Sequence, residues 1–386
     1  MITDGFSYLA FIAFFAGLVV LTERHYRGKF FEYVPAVVVI YFICMLFSTF
    51  GFWSKTDSVN AIYKGVKGNL LSAMIFLLLL RCDLRKIMKL GSKMLLGFFA
   101  AAFSIAFGFV VMFLIFKSNL SPDSWKAFAA LCGSWMGGTG NMVAIQGALN
   151  IADADMGYTL LIDSIDYSIW VMILLGMVPF AMKFNRWTKS DTSVIDRVGA
   201  ELSEHYESMR KETTFSDMLF LLGAALAVSA LCQSAAGFLP RTAFMSGTTW
   251  TVLLATVAGV LCAMTPMSKL PGASQMANVI LYLIVGLIAS RANFAELTEA
   301  PMYILAGFVI LAVHAVTLAI IAKICKLDLF TCGVASLANI GGVASAPILA
   351  AAYSEALVPI GVLMAMMGYI IGTGGGLLVG KILSIL

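Results

Sequence analysis

Hydrophobic runs of about membrane length recur along this chain from Gly5 to Leu386, with little between them. A bilayer-spanning helix needs roughly 20 predominantly apolar residues. Reading the runs between charged or turn-rich breaks gives candidate crossings near 5–22, 33–52, 68–80, 92–116, 123–150, 156–182, 215–236, 249–265, 276–290, 301–322, 327–352 and 356–382. These elements leave no room for a separate water-soluble domain. Composition points the same way, because only 12% of residues are charged, against about 25% in soluble domains, and the mean hydropathy is +0.94. In lipid the backbone must satisfy its own polar groups, which makes such runs helices. The expected fold class is an all-α polytopic membrane protein.

Several function classes fall away on residue types. The seven cysteines are scattered, mostly inside apolar runs, and show neither a metal-ligand spacing nor a CxxC pair, so they read as small packing residues. A net charge of +4 spread over loops makes no case for nucleic-acid binding. No HExxH and no GxSxG with a plausible histidine partner is present, which argues against an intramembrane enzyme; the absence of a nucleotide-binding loop argues against direct ATP drive. No cofactor is expected beyond Na+ or H+ as a coupling ion. The first run follows Asp4 without a basic segment or a cleavage pattern before Glu23-Arg24-His25, and reads as a retained helix.

The longest polar interval divides the chain into a first transmembrane repeat (1–182), a linker (183–214) and a second repeat (215–386). Within the linker Val194, Ile195, Val198, Leu202, Tyr206 and Met209 recur near helical spacing, as an amphipathic surface helix or a solvated connection would. The two flanking parts look like copies of one plan. In the first, a short run ends in Leu80-Arg81-Cys82-Asp83-Leu84, a long helix follows, and Gly133–Asn141 brings a Gly-Gly pair. In the second, a short run ends in Ser290-Arg291-Ala292-Asn293-Phe294, a long helix follows, and Ala335–Ser345 brings another. Arg81 to Gly137 spans 56 residues and Arg291 to Gly341 spans 50. Paired glycine-interrupted segments at matching places in two halves point to a transporter binding site.

Glycine is about 1 kcal/mol worse than alanine inside a helix, and unwound backbone at membrane depth must be buried or line a cavity. A break therefore offers free N–H groups at one half-helix end and free carbonyls at the other. Gly137, Gly138, Thr139 and Asn141 in the first segment, and Asn339, Gly341, Gly342 and Ser345 in the second, are the candidate substrate- or ion-binding positions. Close helix packing is the competing reading of such small residues. Gly372-Thr373-Gly374-Gly375-Gly376 near the C-terminus lacks the Lys-Ser/Thr of a phosphate loop and reads as a packing face.

Asp163 and Asp166 complete the candidate site. A helix entering near Met156 places them roughly 10 and 15 Å into the bilayer, three residues apart and so on one face. Intramembrane carboxylates are costly and commonly mark proton or cation sites. His314, the only histidine in an apolar run, reads as a hydrogen-bonded structural residue. Arg81 and Arg291 end short runs, as anchors reaching the interface or as attractors of an anion.

Leu80–Lys86, Gly133–Asn141 and Ala338–Gly342 carry a resemblance to the YjcL-like bacterial family, domain of unknown function 819, over nearly the whole chain. More distantly the chain is similar to the cation/proton antiporter and anion transporter superfamily. That resemblance implies inverted repeats, a scaffold domain and a core domain with two crossed, discontinuous helices. It also implies a homodimer in the bacterial inner membrane. The expected function is a secondary active transporter that moves a small organic anion or amino acid by elevator-like alternating access, coupled to sodium or protons; a cation/proton antiporter is the runner-up, with a channel behind. One count conflicts with inversion. Inverted copies need an odd number of crossings from one matching element to the other, and counting from the first Gly-Gly run to the second gives six; either one broken segment is re-entrant, entering and leaving from one face, or the crossings divide differently.

Overall fold

The computed structural model describes residues 1–25, 30–31, 35–192, 212–242, 245–294 and 300–386. The amphipathic pattern of 194–209 lies outside the described residues. In chain order the helices are α1 (Gly5–His25), α2 (Ala36–Thr49), α3 (Asp57–Leu79), α4 (Gly91–Phe116), α5 (Ser124–Gly137), α6 (Thr139–Leu149), α7 (Asp155–Met177), α8 (Ala181–Thr188), α9 (Phe215–Ala236), α10 (Gly247–Ala263), α11 (Ala273–Ala289), α12 (Ala300–Cys325), α13 (Leu329–Ile340), α14 (Gly342–Tyr353) and α15 (Val358–Leu383). Among the described residues seven helical stretches are long and apolar enough to cross a membrane, so the chain is a polytopic α-helical membrane protein. The third crossing begins earlier than its apolar run, because the polar stretch from Asp57 continues the helix after a Thr56 side-chain cap on the Val59 N–H.

The helices associate in two groups. One forms around α3, which touches α1, α9, α10 and α11, while α2 lies on α11. The other forms around α15, which touches α4, α5, α6, α13 and α14, with α7 and α12 packed on its flank. Helices α3 and α11 run antiparallel. Arg81, just past the end of α3, donates from Nη1 to Ser274 Oγ at the start of α11 (3.2 Å). Arg291, just past the end of α11, donates from Nη1 to Asn60 Oδ1 at the start of α3 (2.7 Å). These two arginines mark the two ends of the bundle.

The Gly-Gly segments do not form through-going crossings. α5 and α6 fold back on each other about Gly138: a Cβ on Gly133 would meet Ile145, and Gly380 of α15 faces both Ala129 and Leu149. α13 and α14 fold back about Gly341-Gly342, which sets the Phe330 and Tyr353 rings 5.3 Å apart and puts Gly333 against Leu349. Each is a helical hairpin, which differs from the crossed, discontinuous helices that the superfamily resemblance implies and matches, for both segments, the re-entrant alternative. No single arm spans the bilayer. Arms of 11 to 14 residues extend about 17 to 21 Å, short of the ~30 Å hydrocarbon core.

With two hairpins the helices between them are five, α7, α9 and α12 of membrane length and α10 and α11 of 17 residues each, which is the odd number that inversion needs. Hairpin 1 opens at the Arg291 end, where Asp153 just after α6 meets Lys67 of α3 at 3.0 Å. Hairpin 2 opens at the Arg81 end, where Asp328 pairs with Lys93 at 2.8 Å. The same end gathers the basic segments. Lys93 also donates to the Asp191 carbonyl, Lys323 to the Trp187 carbonyl, and Arg85 Nη2 to the Met264 carbonyl at 2.9 Å.

Candidate functional site

The reversal of hairpin 1 rests on Gly138, whose φ of +85° is one that residues with side chains rarely adopt. Asn141, one turn into α6, reaches back with Nδ2 to the Gly137 carbonyl at 2.6 Å, satisfying an acceptor that the end of α5 leaves free. Its Oδ1 accepts the Thr373 hydroxyl of α15 at 2.6 Å. Hairpin 2 turns on Gly342, with φ of +62°. Asn339 lies before that turn rather than after it; its Nδ2 donates to the Ala335 carbonyl at 2.9 Å. The two asparagines are therefore not equivalent: Asn141 opens a second arm and Asn339 closes a first one. Ser345 is buried in the first turn of α14, next to Gly341.

Both hairpin tips close on one point of α15. A Cβ on Gly368 would lie 2.8 Å from the Met136 carbonyl oxygen and 3.3 Å from that of Ala338, one from each hairpin. Gly368, Gly372, Gly376 and Gly380, at spacing four, form a stripe against which α5 and α6 lie, with Gly372 close to Gly137 and Gly376 close to Gly133. Small residues at this spacing let membrane helices approach closely. The packing reading of the last helix's glycines and the break reading of the Gly-Gly pairs thus describe two sides of one contact.

The tips line a cavity of about 500 Å³. Gly138, Thr139 and Gly140 of hairpin 1 and Gly341, Gly342, Val343 and Ala344 of hairpin 2 form its inner wall. Ser134, Asp163, Ser164, Tyr167 and Tyr369 stand beside them, and Arg81, Ser274, Asn278 and Tyr282 come from the α3/α11 group. The first turns of α6 and α14 both face this space. Their free N–H groups carry partial positive charge, Arg81 adds a full one, and Asp163 opposes them. Such a cavity suits an anionic group at the tips with a cationic group or ion at Asp163.

Asp163 is held in place by hairpin 1: Oδ1 accepts the Ser134 hydroxyl at 3.1 Å and the Trp135 indole N–H at 3.0 Å. Asp166 is not at the cavity. It is fully buried one turn away, its carboxylate set against Gly307 of α12, and neither oxygen has a hydrogen-bond partner among the described residues. Spacing of three placed the two carboxylates on one face, yet the 60° between them directs one to α5 and the other to α12. His314 is structural, with Nδ1 2.7 Å from Ser104 Oγ and Nε2 2.7 Å from Ser336 Oγ.

Of the positions singled out in the sequence, Arg81, Gly138, Thr139, Asp163, Gly341 and Gly342 reach the cavity. Gly137, Asn141, Asn339 and Ser345 support its walls. Ser134, Trp135, Tyr167, Ser274 and Asn278 were missed. Ser134 and Trp135 lay within the glycine segment already noted, and a carboxylate at bilayer depth requires donors of their kind. Ser274 and Asn278 carry no such signal, because only the antiparallel pairing of α3 and α11 brings them near.

A family model described as "Protein of unknown function (DUF819)" matches residues 10–386. The chain is also similar to "Uncharacterized membrane protein YjcL" of Bacillus subtilis (strain 168), at 23% identity over 388 residues, covering 96% of this chain and 95% of that protein. With a match over nearly its full length and seven membrane-length apolar stretches, the chain belongs to the DUF819 family and is a multi-pass protein of a bacterial membrane.

Proposed function

We propose that this protein is a secondary active transporter carrying a small organic anion or amino acid, driven by sodium or protons. The observation that carries the reading is the meeting of two hairpin tips, entering from opposite ends, at one cavity beside Asp163. The α3 and α11 ends exchange partners in an antiparallel way, which supports two inverted repeats. On this reading the α3 group is a static scaffold, held in a homodimer, and the α15 group is the core that moves against it. The basic segments Arg81–Lys93 and Lys183–Lys189 favour the cytoplasmic side of the inner membrane for the Arg81 end. The work needs no covalent chemistry and no cofactor beyond the coupling ion.

A cation/proton antiporter is the second reading, favoured by Asp166, a buried carboxyl without a hydrogen-bond partner and away from the cavity. The test is a thermal-shift screen of purified protein against metabolites and ions, followed by uptake into proteoliposomes under imposed sodium or proton gradients. A ligand at 100 times its Kd stabilises the folded state by about 2.7 kcal/mol. Uptake of an organic solute that either gradient drives supports the symporter. Sodium/proton exchange without any organic solute supports the antiporter, and a flux indifferent to both gradients sinks the two together.

A further inference from the structure

The two arginines that end α3 and α11 occupy matching places, but only one of them is at the cavity. Arg81 lines it, with Nη1 on Ser274 of the opposite helix. Arg291 makes the mirrored contact to Asn60 and sits with its guanidinium 4.5 Å from the centre of the Tyr63 ring. Its Nε and Nη2 are buried and have no hydrogen-bond partner among the described residues. A guanidinium presents a planar fork suited to carboxylates, and buried donors left unpaired are costly; among the described residues no carboxylate meets this half of the fork, and the Tyr8 hydroxyl is the polar group beside the guanidinium.

A clasp closes the Arg291 end over it. Asp153, between hairpin 1 and α7, takes the Lys67 ammonium at 3.0 Å, the Tyr63 hydroxyl at 2.6 Å and the Gln146 amide at 2.7 Å. The Tyr41 hydroxyl donates to the Asp153 carbonyl at 3.2 Å. Lys67, Tyr63 and Tyr41 belong to the α3 group, whereas Asp153 and Gln146 travel with hairpin 1. This end is therefore held shut while the other exposes the cavity at Arg81.

We propose that Arg81 and Arg291 are two stations on one anion path: Arg81 serves the hairpin tips in the conformation seen here, and Arg291 serves them when the Asp153 clasp has parted. The ligand at both is a carboxylate or similar small oxyanion. The proposal rests on the alternating-access reading above and adds the residue that receives the anion on the far side. Exchange of the two repeats' roles, which maps the end of α3 onto the end of α11, brings the tips to Arg291 and gives its unpaired nitrogens an acceptor.

The test places a thiol at the tip with Thr139→Cys in the full-length protein and measures its modification by mass spectrometry in right-side-out and inverted vesicles. The probes are a negatively charged sulfonate and a positively charged trimethylammonium methanethiosulfonate. Arg81→Gln is expected to slow the anionic reagent from the Arg81 end alone, and Arg291→Gln from the Arg291 end alone, each by roughly tenfold, as loss of charge steering predicts. The cationic reagent is not slowed, and Arg81→Lys and Arg291→Lys keep most of the rate. If the thiol reacts from both ends but Arg291→Gln leaves the anionic rate unchanged, or slows both reagents alike, the Arg291 station is wrong and alternating access stands. If the thiol reacts only from the Arg81 end, alternating access itself fails and the station with it.

Discussion

Trp135 donates its indole N–H to the Asp163 carboxylate at 3.0 Å, joining the first arm of hairpin 1 to α7. The donor is fully buried and lies in the segment that leads into the tip. Any movement of hairpin 1 is thus coupled to the carboxylate at the cavity. Asp163→Asn keeps the shape and can still hydrogen-bond Ser134, but it neither takes up a proton nor balances a cation. The expected outcome is loss of ion-driven uptake in proteoliposomes with little change in Tm. Trp135→Phe removes one donor to a charged group, which costs about 1.5–3 kcal/mol, and is expected to weaken solute or ion binding roughly tenfold or more in a titration by thermal shift. Wild-type uptake and ion dependence in Asp163→Asn would make this carboxylate structural.

The contact of the tips with α15 predicts sharply different outcomes for two glycines six residues apart. A methyl on Gly368 would sit 2.8 Å from the Met136 carbonyl oxygen and 3.2 Å from the Gly137 Cα, both of them backbone. Gly368→Ala therefore has to push a hairpin away, and overpacking of this kind costs about 1–3 kcal/mol. Gly374 has nothing within 4 Å of such a methyl, so Gly374→Ala is expected to raise helix stability by up to about 1 kcal/mol. Thermal unfolding in detergent measures both. Equal Tm values for the two variants would contradict the close approach.

Asp166 differs from Asp163 in having no donor among the described residues. Asp166→Asn is expected to fold as well as the parent, since no hydrogen bond is lost, and to remove the dependence of transport on a proton or cation gradient. Gly307→Ala is expected to reproduce part of that loss, because a Cβ there would collide with the Asp166 carboxylate. Uptake measured at a series of external pH values separates the two roles: a coupling carboxyl moves the profile, and a packing residue lowers its height alone.

The Asp153 clasp sets which end is open. Asp153→Asn removes the negative charge that the Lys67 ammonium and the Tyr63 hydroxyl meet, breaking the ion pair and leaving the Tyr63 hydrogen bond neutral, a loss of about 1 kcal/mol or more for groups this sheltered. Such a change shifts a two-state equilibrium about fivefold or more. The rate at which Thr139→Cys is modified from the Arg291 end is therefore expected to rise by that factor, while the rate from the Arg81 end falls. An unchanged ratio of the two rates would show that the clasp holds no conformation.

How much of this was legible in the sequence differs between elements for physical reasons. The hydrophobic runs give the helices directly, and the Gly-Gly pairs give the breaks, because glycine adopts the positive φ found at Gly138 and Gly342 without the steric cost that a Cβ brings. Whether a run of 26 to 28 residues makes one tilted span or two half-length arms is not encoded in its hydrophobicity. The decision comes from the glycine stripe on α15, some 230 residues away from hairpin 1 in the chain, which accepts both arms. In the same way, spacing predicts that Asp163 and Asp166 share a face, while only the positions of α5 and α12 reveal that they serve different neighbours. Arg81 reads equally as an interfacial anchor or an attractor of an anion, and only its place beside Ser274 of α11 puts it at the cavity.

Outside the bilayer, Asp83 ties the turn after α3 to its own first residues. The Arg85 guanidinium meets it in two hydrogen bonds of 3.0 Å, and the Arg85 backbone N–H adds a third. Hydrogen bonding to the Arg85 side chain is the main cause that holds its carboxyl below the ordinary 3.8, with partial burial opposing. The sign follows from the lowered value. An acid whose folded-state value is depressed contributes stability that is fully present above its unfolded value and is lost as pH falls through the folded one. The turn from Arg81 to Met88 is therefore expected to stay protected at pH 5 and above and to open as pH drops below about 4, without unfolding the transmembrane helices. Hydrogen exchange of the Arg85 and Lys86 amides in detergent, read by mass spectrometry across that range, measures the effect. Asp83→Asn is expected to show the faster exchange already at neutral pH and to be insensitive to acid; an acid response in that variant equal to the parent's would assign the transition to another group.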